Sequence, residues 1–133
     1  MSQLKTFGDV RTRFRENWPG YVRRYRVLLI LTFLASLADM ASTIHFMLNH
    51  GPAAEGHPVV RAVSLVLGPI LGPMLGKAVQ FLVAIVVTVF LRRWAAYILI
   101  PLIILYAWAA WFNLWGYEVY YPRLLQMLEH LGI

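Results

Sequence analysis

Three long apolar runs, each carrying a few polar side chains at helical spacing, set the pattern of this chain. The first covers residues 27–48 and holds one carboxylate, Asp39, near its middle. The next apolar stretch extends from Pro58 to Leu91, 34 residues. As one helix it would measure about 51 Å, against roughly 30 Å for the hydrocarbon core of a bilayer, so a break is expected. Pro58 suits a first helical position, and Gly68-Pro69 is a stop signal. The stretch therefore reads as a short interfacial or re-entrant helix over 58–67 and a second span over 70–91, with Pro73 the place for a kink. Arg92-Arg93 makes a minimal turn, and a third span follows over 94–116 with Pro101 inside it. The fold class expected is all-α integral membrane. It comprises three transmembrane helices, a short interfacial or re-entrant helix before the second, and amphipathic tails at both ends, in a single domain over 1–133.

The flanks are amphipathic rather than apolar. Residues 1–26 form a basic segment with interleaved aromatics. Thr6 followed by Asp9 resembles a capping box. A helix over 7–17 would set Phe7, Val10 and Phe14 opposite a row of arginines, which suits lipid headgroups. Trp18-Pro19-Gly20 is expected to end it; a frayed basic tail is the alternative. A signal peptide fits poorly, because the first run is too long, contains Asp39 and precedes no convincing small-residue cleavage site, Ala53-Ala54 included. The tail over 117–133 places Leu124, Leu125, Leu128 and Leu131 in an amphipathic pattern and is expected to lie on the outer interface. Trp108, Trp111, Trp115, Tyr117, Tyr120 and Tyr121 would mark an outer aromatic belt, with Trp94 and Tyr97 at the inner one.

Composition and charge sharpen this picture. The chain is 60% hydrophobic with a mean hydropathy of +0.64, whereas soluble domains are about 45–50% apolar. With no cysteine, disulfides, thiolate metal sites and thiol catalysis are excluded. The formal charge of +6 alone would allow a nucleic-acid partner. However, seven of the 12 Lys and Arg precede Val27, namely Lys5, Arg11, Arg13, Arg15, Arg23, Arg24 and Arg26. A basic block abutting a spanning helix is a topogenic and anionic-lipid signal, so no nucleic acid is expected. It places the N-terminus on the cytoplasmic side of the cytoplasmic (inner) membrane. The turn-rich loop 49–58 then lies outside and, after three crossings, so does the C-terminus. Three helices bury little surface alone, so a homo-oligomer or a larger membrane complex is expected.

The polar residues inside the runs are not scattered. At about 100° per residue, Thr32, Ser36, Asp39, Thr43 and His50 share one face of the first span, while His45 points roughly 120° away. On the second span Lys77, Gln80, Ala84 and Thr88 form a stripe, and on the third Tyr106, Ala109, Ala110, Asn113 and Tyr117 do so. Lipid favours turning these three seams toward one another. An unpaired carboxylate near the bilayer centre costs on the order of 2.5–3.5 kcal/mol. Asp39 and Lys77 fall at comparable depth, so a direct or Thr43-assisted pair is expected, with a protonated Asp39 as the competitor. Gly72-xxx-Gly76 offers a close helix approach beside them.

These residues also carry a resemblance. Asp39-x-x-x-Thr43, a glycine-containing loop with Glu55-x-His57-Pro58, and Lys77 in the next span resemble an uncharacterised family of small three-span bacterial and archaeal membrane proteins. The family's pattern is D-x-x-x-T, then G-x-x-E-x-N-P, then an intramembrane lysine. It covers about residues 30–116 here, and His57 stands where the family has Asn. The resemblance implies three helices and a functional Asp39, Thr43, Glu55 and Lys77 set, without naming a reaction.

Several functions fit this set. The leading expectation is a non-enzymatic accessory, assembly or small-ligand-binding subunit that needs no cofactor and is built around Asp39, Thr43, Lys77, Gln80 and Asn113. One alternative is a divalent-metal or small-ligand site at the outer face from Asp39, Glu55, His57 and His50, since imidazoles and carboxylates suit Zn²⁺. Yet Glu55-x-His57 fits no standard metal motif, and His45 and His50 miss the i, i+4 spacing of one helical face. A proton-coupled transport component is the other alternative. His45 reads as a packed or interfacial histidine rather than a haem ligand, and His130 as a surface residue. No nucleophile elbow, HExxH or Walker loop is present, so nothing in the chain argues for an enzyme.

Overall fold

The structure, a computed structural model, describes residues 7–132, with Tyr120 and Tyr121 described through their backbone alone. Lys5 and Thr6, and with Thr6 the expected capping box, lie outside the described residues. Among the described residues every regular element is helical. Three helices, Phe7–His50, Pro58–Phe90 and Arg92–Val119, are long and apolar enough to cross a membrane. The elements are α1 (Phe7–His50), α2 (Pro58–Phe90), α3 (Ala95–Trp111) and α4 (Tyr117–His130), with a π-helical turn over Phe112–Gly116 joining the last two. Tight 3-10 turns, Pro52–Ala54 and Arg92–Trp94, connect α1 to α2 and α2 to α3.

α1 is longer than the sequence suggests. It runs through Pro19 rather than ending at Trp18-Pro19-Gly20, and its backbone leaves helical values at Tyr25 (φ −110°, ψ 17°). A proline inside a helix removes one hydrogen bond and crowds the preceding turn. Tertiary contacts outweigh that loss here. The fully buried Tyr21 shares a hydrogen bond with Thr88 (2.6 Å), and the Tyr25 hydroxyl donates to the Arg92 carbonyl (2.6 Å). Phe14 packs against Phe90, with ring centroids 6.0 Å apart. The Arg92 guanidinium lies 3.0 Å from where a Cβ on Gly20 would be, so the end of the arginine rests against the bare glycine.

α2 is a helical hairpin. Gly68 takes φ 90° and ψ 174°, a backbone conformation that L residues avoid, and breaks the helix as expected from Gly68-Pro69. Pro73, by contrast, sits in helical backbone, so the break is at the glycine alone. Beyond the tip the chain doubles back on itself. A Cβ on Gly72 would overlap the backbone and side chain of Ser64, and one on Gly76 would lie 3.2 Å from the Val60 side chain. These pairings are symmetric about Gly68, so the arms 58–67 and 69–80 run antiparallel. Gly72 and Gly76 thus serve an approach within α2, not one between spans.

The hairpin carries a second consequence. Its short arm begins at His57, whose ring faces the Gln80 side chain at 3.4 Å. Gln80 lies beyond Lys77 in the direction of Arg92, and Lys77 meets Asp39 well below His50. The connection after His50 therefore descends to the level of Asp39 before α2 starts. α1 packs along both α2 and α3, which barely touch each other. A cleft is left between them.

Candidate functional site

The three seams expected from helical periodicity do face inward. Thr32, Ser36, Asp39 and Thr43 are buried on α1, Lys77 and Thr88 on α2, and Tyr106 and Ala110 on α3. Lys77 Nζ lies 2.5 Å from Asp39 Oδ2, the two side chains being 9% and 2% exposed. Thr43, one helical turn after Asp39, donates its hydroxyl to Asp39 Oδ1 at 3.3 Å. Asn113 donates in turn to Thr43 Oγ1 (3.0 Å) and Ser42 Oγ (3.2 Å), and Ser42 donates to the Asp39 carbonyl (2.9 Å). The Tyr106 ring completes the surroundings, its centroid 5.7 Å from Lys77 Nζ. Each of the three long helices thus supplies polar groups to one network.

One member, Ser42, was not placed on the seam from the sequence. It lies three residues after Asp39, only about 60° from it around the helix, and was legible as a neighbour of the stripe. The π-helical turn at Phe112–Gly116, which carries Asn113, has no sequence signature among these residues. Such turns concentrate at functional positions in helices.

Glu55 and His57 stand at the lip of the cleft. His57 Nδ1 accepts from the Val60 amide at 3.4 Å, capping the first arm of α2. Its Nε2 lies 3.4 Å from the Gln80 side-chain nitrogen, which brings the start of α2 against its second arm. Glu55 Oε1 accepts from the His57 amide (3.0 Å), and its carbonyl from Arg61 (3.5 Å). The carboxylate is therefore used to shape the turn.

His50, at the end of α1, is exposed. Its ring stacks on Phe46 and meets Tyr117, the last residue of the third seam, edge-on, both at 4.6 Å between centroids. His45 points away from the seam, as expected, beside Asn49. Among the described residues no three His, Cys, Asp or Glu side chains converge as metal ligands. The set Asp39, Glu55, His57 and His50 is accordingly not gathered into one coordination sphere.

The cleft itself measures about 1240 Å³. Its floor is α1, its walls are α2 and α3, and α4 closes one end through Arg123, Leu124 and Met127. Asp39, Thr43, Lys77, Gln80, Asn113, Glu55 and His57, the polar residues expected to act together, all line it. Apart from Arg123, the remaining surface is mostly aliphatic and aromatic. No protein-family model matches this chain, nor does any curated protein or solved structure.

Proposed function

We propose that this protein is a non-enzymatic, membrane-embedded binding protein whose cleft between α2 and α3 takes up a small molecule from the bilayer. The observation that supports this most directly is that all seven polar residues line one cleft of about 1240 Å³. The walls fit the same reading: Val79, Val83 and Leu105 line the cleft and are also about half exposed, which leaves its side open toward lipid. In this reading the protein sits in the cytoplasmic membrane with its basic N-terminal segment on anionic headgroups inside and its C-terminus outside. The arm 58–67 is a re-entrant helix, and α4 lies along the outer interface. Second copies or a larger complex cover the remaining apolar faces. The D-x-x-x-T resemblance supports the assignment, since Asp39, Thr43, Glu55 and Lys77 surround the same space.

Native mass spectrometry of protein extracted in mild detergent tests the proposal. Wild-type protein is expected to retain a small-molecule adduct, with occupancy at least fivefold lower in Val83→Trp, where an indole fills the cleft. An adduct indifferent to that substitution, or none at all, would remove the reading.

A further inference from the structure

We infer that the ligand of this cleft is an uncharged lipid whose head presents a carbonyl oxygen to Lys77 and whose hydrocarbon chain runs toward Val87. The inference rests on the cleft being a binding site and specifies what it takes. Its starting point is the ammonium group of Lys77, which has three hydrogens to donate. Among the described residues Asp39 Oδ2 is its one ion-pair partner, with no hydrogen bond between them, and the other neighbour is the face of Tyr106. The Lys77 side chain is 9% exposed and lines the cleft. Donors withdrawn from water in this way call for an acceptor supplied from the cleft.

Charge decides which acceptor. Asp39 already balances Lys77, so an anion drawn to the ammonium would sit beside a carboxylate. Depth points the same way. Lys77 is nine residues past the tip at Gly68, about 13 Å along the helix, and Asp39 is a similar distance below His50. A phosphate or carboxylate head would give up more hydration in reaching that level than an uncharged carbonyl. From Lys77 to Val87 the cleft extends about 15 Å along α2. Beyond Gln80 its walls are aliphatic, with Val83, Ala84 and Val87 on one side and Ile98, Leu102 and Leu105 on the other. Such a trough suits an alkyl or isoprenoid chain below a head held at Lys77.

Methyl laurate and dodecyl phosphate, matched in chain length and different in head charge, separate the possibilities. Each is titrated into the full chain in lipid nanodiscs, and bound probe is counted by native mass spectrometry. Methyl laurate is expected to saturate one site and to bind at least tenfold more tightly than dodecyl phosphate. Its affinity should fall at least tenfold in Val83→Trp, and likewise in Asp39→Asn/Lys77→Met. The double change removes the ammonium without stranding a carboxylate, and helical circular dichroism verifies its fold. Should the double variant not fold, Lys77→Arg replaces it and is expected to keep methyl laurate binding within threefold; a tenfold loss would then count against the carbonyl contact. Preferential binding of dodecyl phosphate that is lost in Val83→Trp would overturn the uncharged head while leaving the cleft reading intact. Probe binding unaffected by Val83→Trp would sink both.

Discussion

Two polar ties join α1 to α2, and they are built on opposite principles. Near Arg92, Tyr21 and Tyr25 bond to Thr88 and to a backbone carbonyl inside a packed cluster with Val89 and Ala95. The groups that hydrogen-bond there are neutral and sit among packed apolar side chains. Toward the other end, Asp39 and Lys77 form an ion pair on the wall of an open cleft. A buried ion pair contributes little net stability, because withdrawing both charges from water offsets most of their attraction. The hydroxyl tie is what helix packing alone would select. Charge at the second tie, beside space that packing leaves empty, is better explained by what enters that space.

The largest effect should come from splitting the charged pair. Lys77→Met alone leaves a buried carboxylate and is expected to cost about 3–5 kcal/mol, with Asp39→Asn alone similar. Asp39→Asn/Lys77→Met should fall within about 1 kcal/mol of wild type, a strong departure from additivity. Equilibrium unfolding in bicelles reads all three, and additive losses would erase the distinction between the ties. Next comes Gly68→Ala. No atom lies within 4 Å of the added Cβ, so the cost is backbone strain alone, about 1–3 kcal/mol. Hydrogen exchange should then rise over 58–67 and leave the Tyr21 region unchanged. Equal loosening at both ends would mean that the hairpin supports the whole bundle. The smallest effect belongs to Tyr21→Phe, about 1 kcal/mol. Thr88 keeps its bonds to the Ala84 and Ile85 carbonyls, so nothing is stranded. A loss above that of Lys77→Met would reverse the comparison.

What the sequence made legible follows from lipid's simple demand on polar groups. The period of a helix and the penalty for exposing charge were enough to align Thr32, Ser36, Asp39 and Thr43, to oppose them with Lys77, and to bring Asn113 to the same place. The break at Gly68 was equally readable, since proline after glycine is a local signal. Features depending on long-range packing were not. The helix persists through Pro19 because Thr88, Phe90 and Arg92, some 70 residues away, hold the far side. Gly72 and Gly76 advertised a close contact without naming its partner, which turned out to be Ser64 and Val60 of their own helix. The descent of the connection after His50 follows from that pairing and has no signal of its own.

The one-residue tip of α2 has no slack. An extra residue after Gly68 would slide one arm past the other, carrying Ser64 from the bare face of Gly72 to the isobutyl group of Leu71. His57 would lose its place opposite Gln80 by the same step. Length at this point acts as a gauge: the backbone count between two prolines, Pro58 and Pro69, sets how far down the cleft its imidazole hangs.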